Sequence, residues 1–225
     1  YGVTFLFYIV ILGSASLMLS SITTEKQNRM MEILLTSITP TEMLIGKITA
    51  LGLAGLIQTV VWTLSGFLLL KLGGNTFNLS HAFQLPASIL VWGVIFFLLG
   101  YAIYASLMAG VGALVPSLRE ASQATTLIMI PLIIPLMFVT TLIESPDGPL
   151  AMFFSFFPLS APVSMMTRLA ATQVPFWQPL ISAFLQALTA WLIVRTSAKM
   201  FRAQNLLTGQ KFSLREYIRA IGRQG

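Results

Sequence analysis

Side chains that could catalyse a reaction are scarce in this sequence. The 225 residues include no cysteine and one histidine, His81, which excludes a thiol nucleophile, a cysteine-ligated metal and the H-E-x-x-H zinc motif. The dipeptide Gly46-Lys47 is similar to the end of a phosphate-binding loop. However, Thr41 and Ile48 stand where G-x-x-x-x-G-K-[ST] requires glycine and a hydroxyl residue. We therefore predict that the chain is no enzyme and binds no nucleotide, metal or other cofactor itself.

Composition places the chain in a membrane. Hydrophobic residues make up 56% of the sequence and charged residues 9%, against roughly 25% charged residues in soluble globular domains, and mean hydropathy is +0.85. This balance excludes a water-soluble fold and also intrinsic disorder. The net charge of +6 could indicate nucleic-acid binding, but the basic residues stand beside apolar stretches rather than on a basic face with interleaved aromatics. The predicted partner is the lipid bilayer, with no nucleic acid.

Five apolar stretches are long enough to cross a bilayer, which takes about 20 helical residues. None of them contains an acidic residue, and none alternates as membrane strands do. We predict an all-α polytopic membrane protein with a single transmembrane domain over residues 1–225. The predicted spans are residues 1–22, 48–70, 87–115, 124–143 and 179–197.

Lysine and arginine predict the orientation, because they are enriched on the cytoplasmic side of membrane spans. All 13 basic residues except Lys71 and Arg168 fall on one side of the predicted spans. The carboxyl end is thus predicted to be cytoplasmic and the amino end to lie outside. The basic tail, residues 198–225, is expected to contact anionic lipid, with a cytoplasmic protein as the alternative.

The segment between the first two predicted spans, residues 23–47, holds a dense charge cluster, and we call it the elbow. At about 100° per residue, residues 24–36 form an amphipathic helix suited to the membrane surface. A pair between Glu25 and Arg29 at i, i+4 would contribute only about 0.2–0.5 kcal/mol. The polar face carries Glu25, Arg29, Glu32 and Thr36, and the opposite face carries Met30, Met31, Leu34, Leu35 and Ile38.

A second helix is predicted to begin inside the elbow. The run Thr39-Pro40-Thr41-Glu42 has a capping hydroxyl, a proline at the first helical position and a glutamate placed to complete a capping box. That helix would continue into the second span. The elbow is therefore either a generic interfacial helix pair or a docking surface for a cytoplasmic partner.

Small residues and prolines shape the third and fourth spans. Pro131 and Pro135 each remove a backbone hydrogen bond and predict a kink in the fourth span. Such a kink favours a position beside a transport pathway, although purely structural kinks are also common. Small residues in the third span predict close helix packing; they are Gly93, Gly100, Ala102, Ala105, Ser106, Ala109, Gly110, Gly112 and Ala113.

Residues 144–178, which we call the re-entrant segment, are too long for a simple loop. Prolines at positions 158, 162, 175 and 179 exclude one continuous helix. We expect two short helices that dip back into the outer leaflet. The alternative is an aromatic belt at the membrane boundary.

Three separated motifs resemble those of one transporter family, the type-2 ABC exporter permeases, particularly their sodium-efflux (NatB-like) group. Together they cover nearly the whole chain in the family's order. The first is Glu25-Lys26, Arg29, Glu32-Ile33-Leu34, Ser37, Pro40 and Gly46-Lys47; the second is Phe157-Pro158-Leu159-Ser160-Ala161-Pro162 with Arg168-Leu169-Ala170 and Pro175-Phe176-Trp177; the third is Phe201-Arg202, Leu206-Leu207, Gly209, Lys211 and Ser213-Leu214-Arg215-Glu216.

The resemblance implies a role for each motif. The elbow would be the coupling helix that rests on a separate cytoplasmic ABC ATPase. ATP and magnesium would bind to that ATPase. The coupling residues of the elbow would be Glu25, Lys26, Arg29 and Glu32. Gln27 stands where such permeases commonly have glutamate. The re-entrant segment would help to close the pathway on the outside, with Pro158, Ser160, Pro162 and Arg168 as the external gate.

The resemblance also implies the setting of the protein. Such permeases pair with a second copy or a similar permease in the plasma membrane of a prokaryote, and they usually have six spans. This chain looks like the second to sixth, so we expect a piece truncated at its amino end. The spans lack acidic residues, which weakens an ion-driven carrier. Cargo stays open among sodium, drug, peptide and lipid, and the alternative function is a non-transporting membrane scaffold.

Overall fold

The computed structural model describes residues 1–28, 30–77, 87–115 and 118–206. All regular structure in these ranges is helical, which confirms the predicted fold class. The helices of the described ranges are α1 (Gly2–Gln27), α2 (Met30–Ser37), α3 (Pro40–Phe77), α4 (Ala87–Leu114), α5 (Leu118–Met137), α6 (Val139–Glu144), α7 (Pro149–Phe156), α8 (Ala161–Ala171) and α9 (Trp177–Leu206).

Five of the described helices are long and apolar enough to cross a membrane, as predicted: α1, α3, α4, α5 and α9. Their ends differ from the predicted spans at several places, and the largest shift of a whole span is that of α5, which covers Leu118–Met137 against the predicted 124–143. Helix α1 continues to Gln27, α3 begins at Pro40, and α9 continues to Leu206. Helices α1, α3 and α9 are therefore longer than the apolar runs at their centres, whereas α5 is displaced toward the amino end of its predicted span. Residues 207–225 of the predicted tail, and His81, lie outside the described residues.

Helix α4 is the centre of the bundle, since α1, α3, α5, α8 and α9 all contact it. Its glycines allow this close approach, as the sequence predicted. A Cβ at Gly112 would lie 3.1 Å from Ile22 of α1, and a Cβ at Gly110 would lie 3.0 Å from the Ser197 hydroxyl of α9. That hydroxyl donates to the carbonyl of Ser106 over 2.7 Å. The third span is thus a packing core for the other helices.

Replacing Gly100 with alanine is expected to destabilise the bundle. The new Cβ would lie 2.6 Å from Cγ and 2.7 Å from Cβ of Pro162, and a rigid proline ring has no rotamer in which to retreat. Overpacking of this kind costs about 1–3 kcal/mol. Thermal unfolding of the purified protein should therefore show a lower Tm. Gly13→Ala is the matched control, because its Cβ meets nothing within 4 Å; equal Tm values for both variants would contradict the packing described here.

Helix α5 contains both predicted kink prolines, Pro131 and Pro135. The helix ends at Met137, and Phe138 caps a new helix, α6, with φ −104° and ψ 17°. The interruption of the helical path that the structure shows therefore lies three residues after Pro135. It turns the chain from the fourth span into the re-entrant segment.

Candidate functional site

The carboxyl half of the elbow follows its predicted capping chemistry. The backbone N–H of Thr39 donates to Oε2 of Glu42 over 2.8 Å, and the Thr39 hydroxyl donates to the same oxygen over 2.7 Å. In return the N–H of Glu42 donates to the Thr39 hydroxyl over 3.3 Å. The predicted capping box is confirmed. It begins α3 at Pro40 and joins the elbow rigidly to the second span.

The amino half of the elbow departs from the prediction, because residues 24–36 do not form one helix. Helix α1 ends at Gln27, Asn28 forms a turn, and α2 begins at Met30. The apolar periodicity continues across this break and gives no sign of it. The physical reason lies in tertiary contacts, since Glu25 and Lys26 hold the end of α1 against two other spans.

Glu25 forms an ion pair with Lys47, which lies in the second turn of α3. The ammonium of Lys47 also donates to the hydroxyl of Ser21 over 2.6 Å. The Lys47 and Glu25 side chains are only 16% and 22% exposed, so the pair is partly shielded from water. The other carboxylate oxygen of Glu25 is buried without a partner among the described residues. The i, i+4 spacing predicts Arg29 as a partner of Glu25, but Arg29 lies outside the described residues.

Lys26 points to the end of α4 rather than to solvent. Its Nζ donates to the carbonyl of Ala113 over 2.7 Å and to the carbonyl of Val115 over 2.9 Å. The last carbonyls of a helix have no partner within the helix and carry its negative dipole end, where a cation is favourable. Lys26 therefore caps α4 and joins it to α1. The sequence pattern did not predict this contact; the signal for it is a lysine in the last turn of an apolar helix.

Helix α2 presents apolar side chains at the surface of the monomer. Met30 is 52% exposed and Ile33 is 71% exposed, and α2 packs on α1. Thr36 is exposed as well. Glu32 lies within α2, but its side chain is outside the described part, so its predicted coupling role stays a prediction. The exposed face of α2 is available to a partner.

The re-entrant segment contains the two short helices that were predicted, α7 and α8. Helix α8 is inserted among the spans, since its residues from Ala161 to Arg168 are all buried and it packs on α1, α4, α6, α7 and α9. The Thr4 and Thr167 hydroxyls lie 2.8 Å apart and join α1 to α8. The depth of this segment in a bilayer stays a prediction.

The four predicted gate residues lie at or within α8. Pro158 is half-buried before it, and the buried Ser160 donates to the carbonyl of Phe154 over 2.8 Å, which closes the corner between α7 and α8. Pro162 packs against Gly100 of α4. Arg168 is fully buried and donates from Nη2 to Asp147 Oδ1 over 3.0 Å and to Gln178 Oε1 over 2.9 Å. Arg168 thus joins α8 to the first turn of α9 and to the turn before α7.

Helices α1 and α5 pack against each other and expose polar side chains at one end of each, a group we call the polar edge. Ser20 and Thr24 are exposed near the carboxyl end of α1, and Gln123 and Thr126 are exposed near the amino end of α5. The Thr126 hydroxyl donates to the carbonyl of Ser122 within α5 over 3.4 Å. In the described ranges, no group of three or more His, Asp or Glu side chains could hold a metal ion.

Comparison with known proteins agrees with this architecture. The chain is 30% identical over 220 residues to the uncharacterized protein MJ1024 of Methanocaldococcus jannaschii and 28% identical over 230 residues to the uncharacterized protein YhaP of Bacillus subtilis. Each alignment covers 98% of this chain but only 53% and 54% of the relatives, so the chain spans about half the length of the curated relatives it matches. No solved structure matches it significantly. The family model of the ABC-2 family transporter proteins matches residues 1–196, and the chain belongs to that family.

Proposed function

We propose that this chain is the membrane-spanning permease part of an ATP-driven exporter, powered by a separate cytoplasmic ATPase. Membership of the ABC-2 transporter family and five apolar helices support a multi-pass transport component. The basic side of the spans supports a cytoplasmic elbow and carboxyl end, in the plasma membrane of a prokaryote. ATP and magnesium would bind to the ATPase.

The contacts of Glu25 and Lys26 are the observation that carries this proposal. They join the end of α1 to Lys47 of α3 and to the last carbonyls of α4. Helix α2 begins three residues after the end of α1. A force on α2 would therefore be transmitted to α1, α3 and α4 together. In this proposal Glu25 and Lys26 transmit the movement within the permease, while Arg29 and Glu32 of the elbow contact the ATPase.

The polar edge of α1 and α5 is the proposed pathway. A second copy of the chain or a similar permease would face this edge and enclose a polar space that begins on the cytoplasmic side. The α5 prolines lie further along the same helix, and Pro158, Ser160, Pro162 and Arg168 would close it at the far end. Substrate would enter at the elbow end of the pathway and leave past this gate, which makes the direction of transport export. Sodium is one candidate cargo, through the resemblance to the NatB-like group.

Co-purification tests the docking part of the proposal. The full-length permease, tagged and solubilised, should retain an endogenous ABC ATPase, and Glu32→Lys should reduce the retained amount at least about tenfold, because a reversed charge at a partner contact repels. Glu144→Lys makes the same charge change on the exposed end of α6 and should retain the ATPase. If wild type retains no ATPase in several detergents, the scaffold alternative replaces the exporter.

A further inference from the structure

Helix α9 presents a continuous apolar face to the outside of the bundle. Phe184 is 67% exposed, Leu188 is 47% exposed and Trp191 is 49% exposed. Their spacing of four and three residues places them on one side of the helix. Gln186 and Ser197, on the other side, are buried. Because α9 is long and apolar enough to cross a bilayer, acyl chains of the membrane would cover the exposed face.

Two cationic side chains continue the same face toward the carboxyl end of α9. Arg195 follows Trp191 by four residues, Lys199 follows Arg195 by four more, and both are exposed. At 3.6 residues per turn these three side chains spread over about 80° of the helix surface. From Phe184 to Arg195 the helix rises about 16 Å, which is close to half of the ~30 Å hydrocarbon core and so to the depth of one leaflet's acyl chains.

The guanidinium of Arg195 is held in place by an aromatic ring. Its Cζ lies 3.9 Å from the ring centroid of Trp191, which is a cation–π contact. A guanidinium stacked in this way keeps its N–H edges free to bind a phosphate with two parallel hydrogen bonds. The two ion pairs of the described ranges involve Lys47 and Arg168, so Arg195 and Lys199 have no acidic partner there. The pair of cations is therefore complementary to an anion from outside the chain.

The cations lie toward the elbow end of the bundle. Ser197, between them in sequence, donates to the carbonyl of Ser106 in α4 over 2.7 Å, and α4 runs on from there to the carboxyl end that Lys26 caps. Trp side chains concentrate where acyl chains meet headgroups. Along α9 the exposed face thus changes from apolar to aromatic to cationic, in the order in which one phospholipid presents its acyl chain and its phosphate.

We propose that this face of α9 binds an anionic phospholipid from the leaflet at the elbow end of the bundle. One acyl chain lies along Phe184 and Leu188, the headgroup phosphate accepts from the Arg195 guanidinium stacked on Trp191, and Lys199 binds the same headgroup. Two cations repel the ammonium of a choline headgroup, so the site selects a net negative lipid. It is distinct from the attraction expected of the basic tail, because Trp191 and Arg195 precede that tail, and it needs neither transport nor an ATPase.

Native mass spectrometry of the solubilised full-length protein tests this site. Phosphatidylglycerol and phosphatidylcholine with the same acyl chains are added separately, and bound lipid per protein is counted. Wild type should retain more phosphatidylglycerol, and Arg195→Gln should lower that preference about fivefold, as expected for one basic residue near anionic lipid. Trp191→Leu keeps an apolar side chain but removes the ring under the guanidinium, and should lower the preference about two- to fivefold. Both residues are exposed, so the fold should survive either change.

Lys71→Gln is the matched control. It removes the same charge near the carboxyl end of α3, the end away from the elbow, and should keep the preference of wild type for phosphatidylglycerol. Equal losses in Arg195→Gln and Lys71→Gln would assign the preference to net charge and overturn the proposal, as would a Trp191→Leu variant that binds like wild type. Displacement of phosphatidylglycerol by inorganic phosphate at equal concentration would identify a free anion as the occupant and would also overturn it.

Discussion

Glu25→Lys is expected to remove most of the ATPase stimulation that the reconstituted permease gives its partner and to lower the Tm by about 4–8 °C. The substitution would place two ammonium groups together at a site that is largely shielded from water. Exposed ion pairs contribute about 0–1 kcal/mol, and breaking a fully buried pair costs about 3–5 kcal/mol. Because the exposure of this pair is intermediate, we expect the free energy of unfolding to fall by about 2 kcal/mol. For a chain of this size that loss corresponds to a Tm decrease of about 4–8 °C.

The charge exchange Glu25→Lys with Lys47→Glu is the decisive companion. It restores opposite charges on α1 and α3, so the double variant should regain most of the Tm and of the ATPase stimulation. Lys47→Glu alone should resemble Glu25→Lys, because it leaves two carboxylates together. A double variant as impaired as the two single variants would contradict a direct pair and would assign each residue a separate partner.

The scaffold of the fold was predictable from the sequence because its causes are local. Hydropathy located five spans, since each must be about as long as the bilayer is thick. The Thr39–Glu42 capping box follows from residues three apart. The two short helices of the re-entrant segment follow from where prolines interrupt the chain. In each case the residues that decide the structure lie within one turn or one span.

The contacts that join the elbow to other spans were not predictable from local sequence. Glu25 and Lys47 are 22 residues apart, and Lys26 reaches carbonyls 87 and 89 residues away. These partners depend on how α1, α3 and α4 pack. A single sequence shows no pattern from which that packing can be read. The polar phase of residues 24–36 suggested one solvated helix face. The structure instead directs Glu25 of that face, and the neighbouring Lys26, at other spans.

The position of Arg168 along the chain was predictable, whereas its burial and its hydrogen-bond partners were not. Its place in the re-entrant motif indicated a gate residue, whereas its burial and its acceptors Asp147 and Gln178 come from α8 meeting the start of α9. The sequence shows where a charge lies along the chain. Packing decides which of its hydrogen-bonding groups are used.

Lys26→Met is expected to destabilise the carboxyl end of α4. Movement of the elbow would then no longer be transmitted to α4, the central helix. Methionine keeps an unbranched side chain but leaves the carbonyls of Ala113 and Val115 without their donor. Each lost hydrogen bond costs about 0.5–1.5 kcal/mol. Hydrogen exchange of the amides at residues 111–115 should therefore become about tenfold faster, because local opening of the last turn becomes cheaper in free energy.

Two further variants decide whether Lys26 acts through this cap. Lys26→Arg keeps the charge and its donors, so both the slow exchange and the ATPase stimulation should largely return. Lys47→Met removes a neighbouring lysine that binds α1 rather than α4, so exchange at residues 111–115 should match wild type. If Lys26→Met and Lys47→Met accelerate exchange at the end of α4 equally, the effect is general loosening of the elbow. If only Lys26→Met does so and ATPase stimulation falls with it, the movement passes through the last carbonyls of α4.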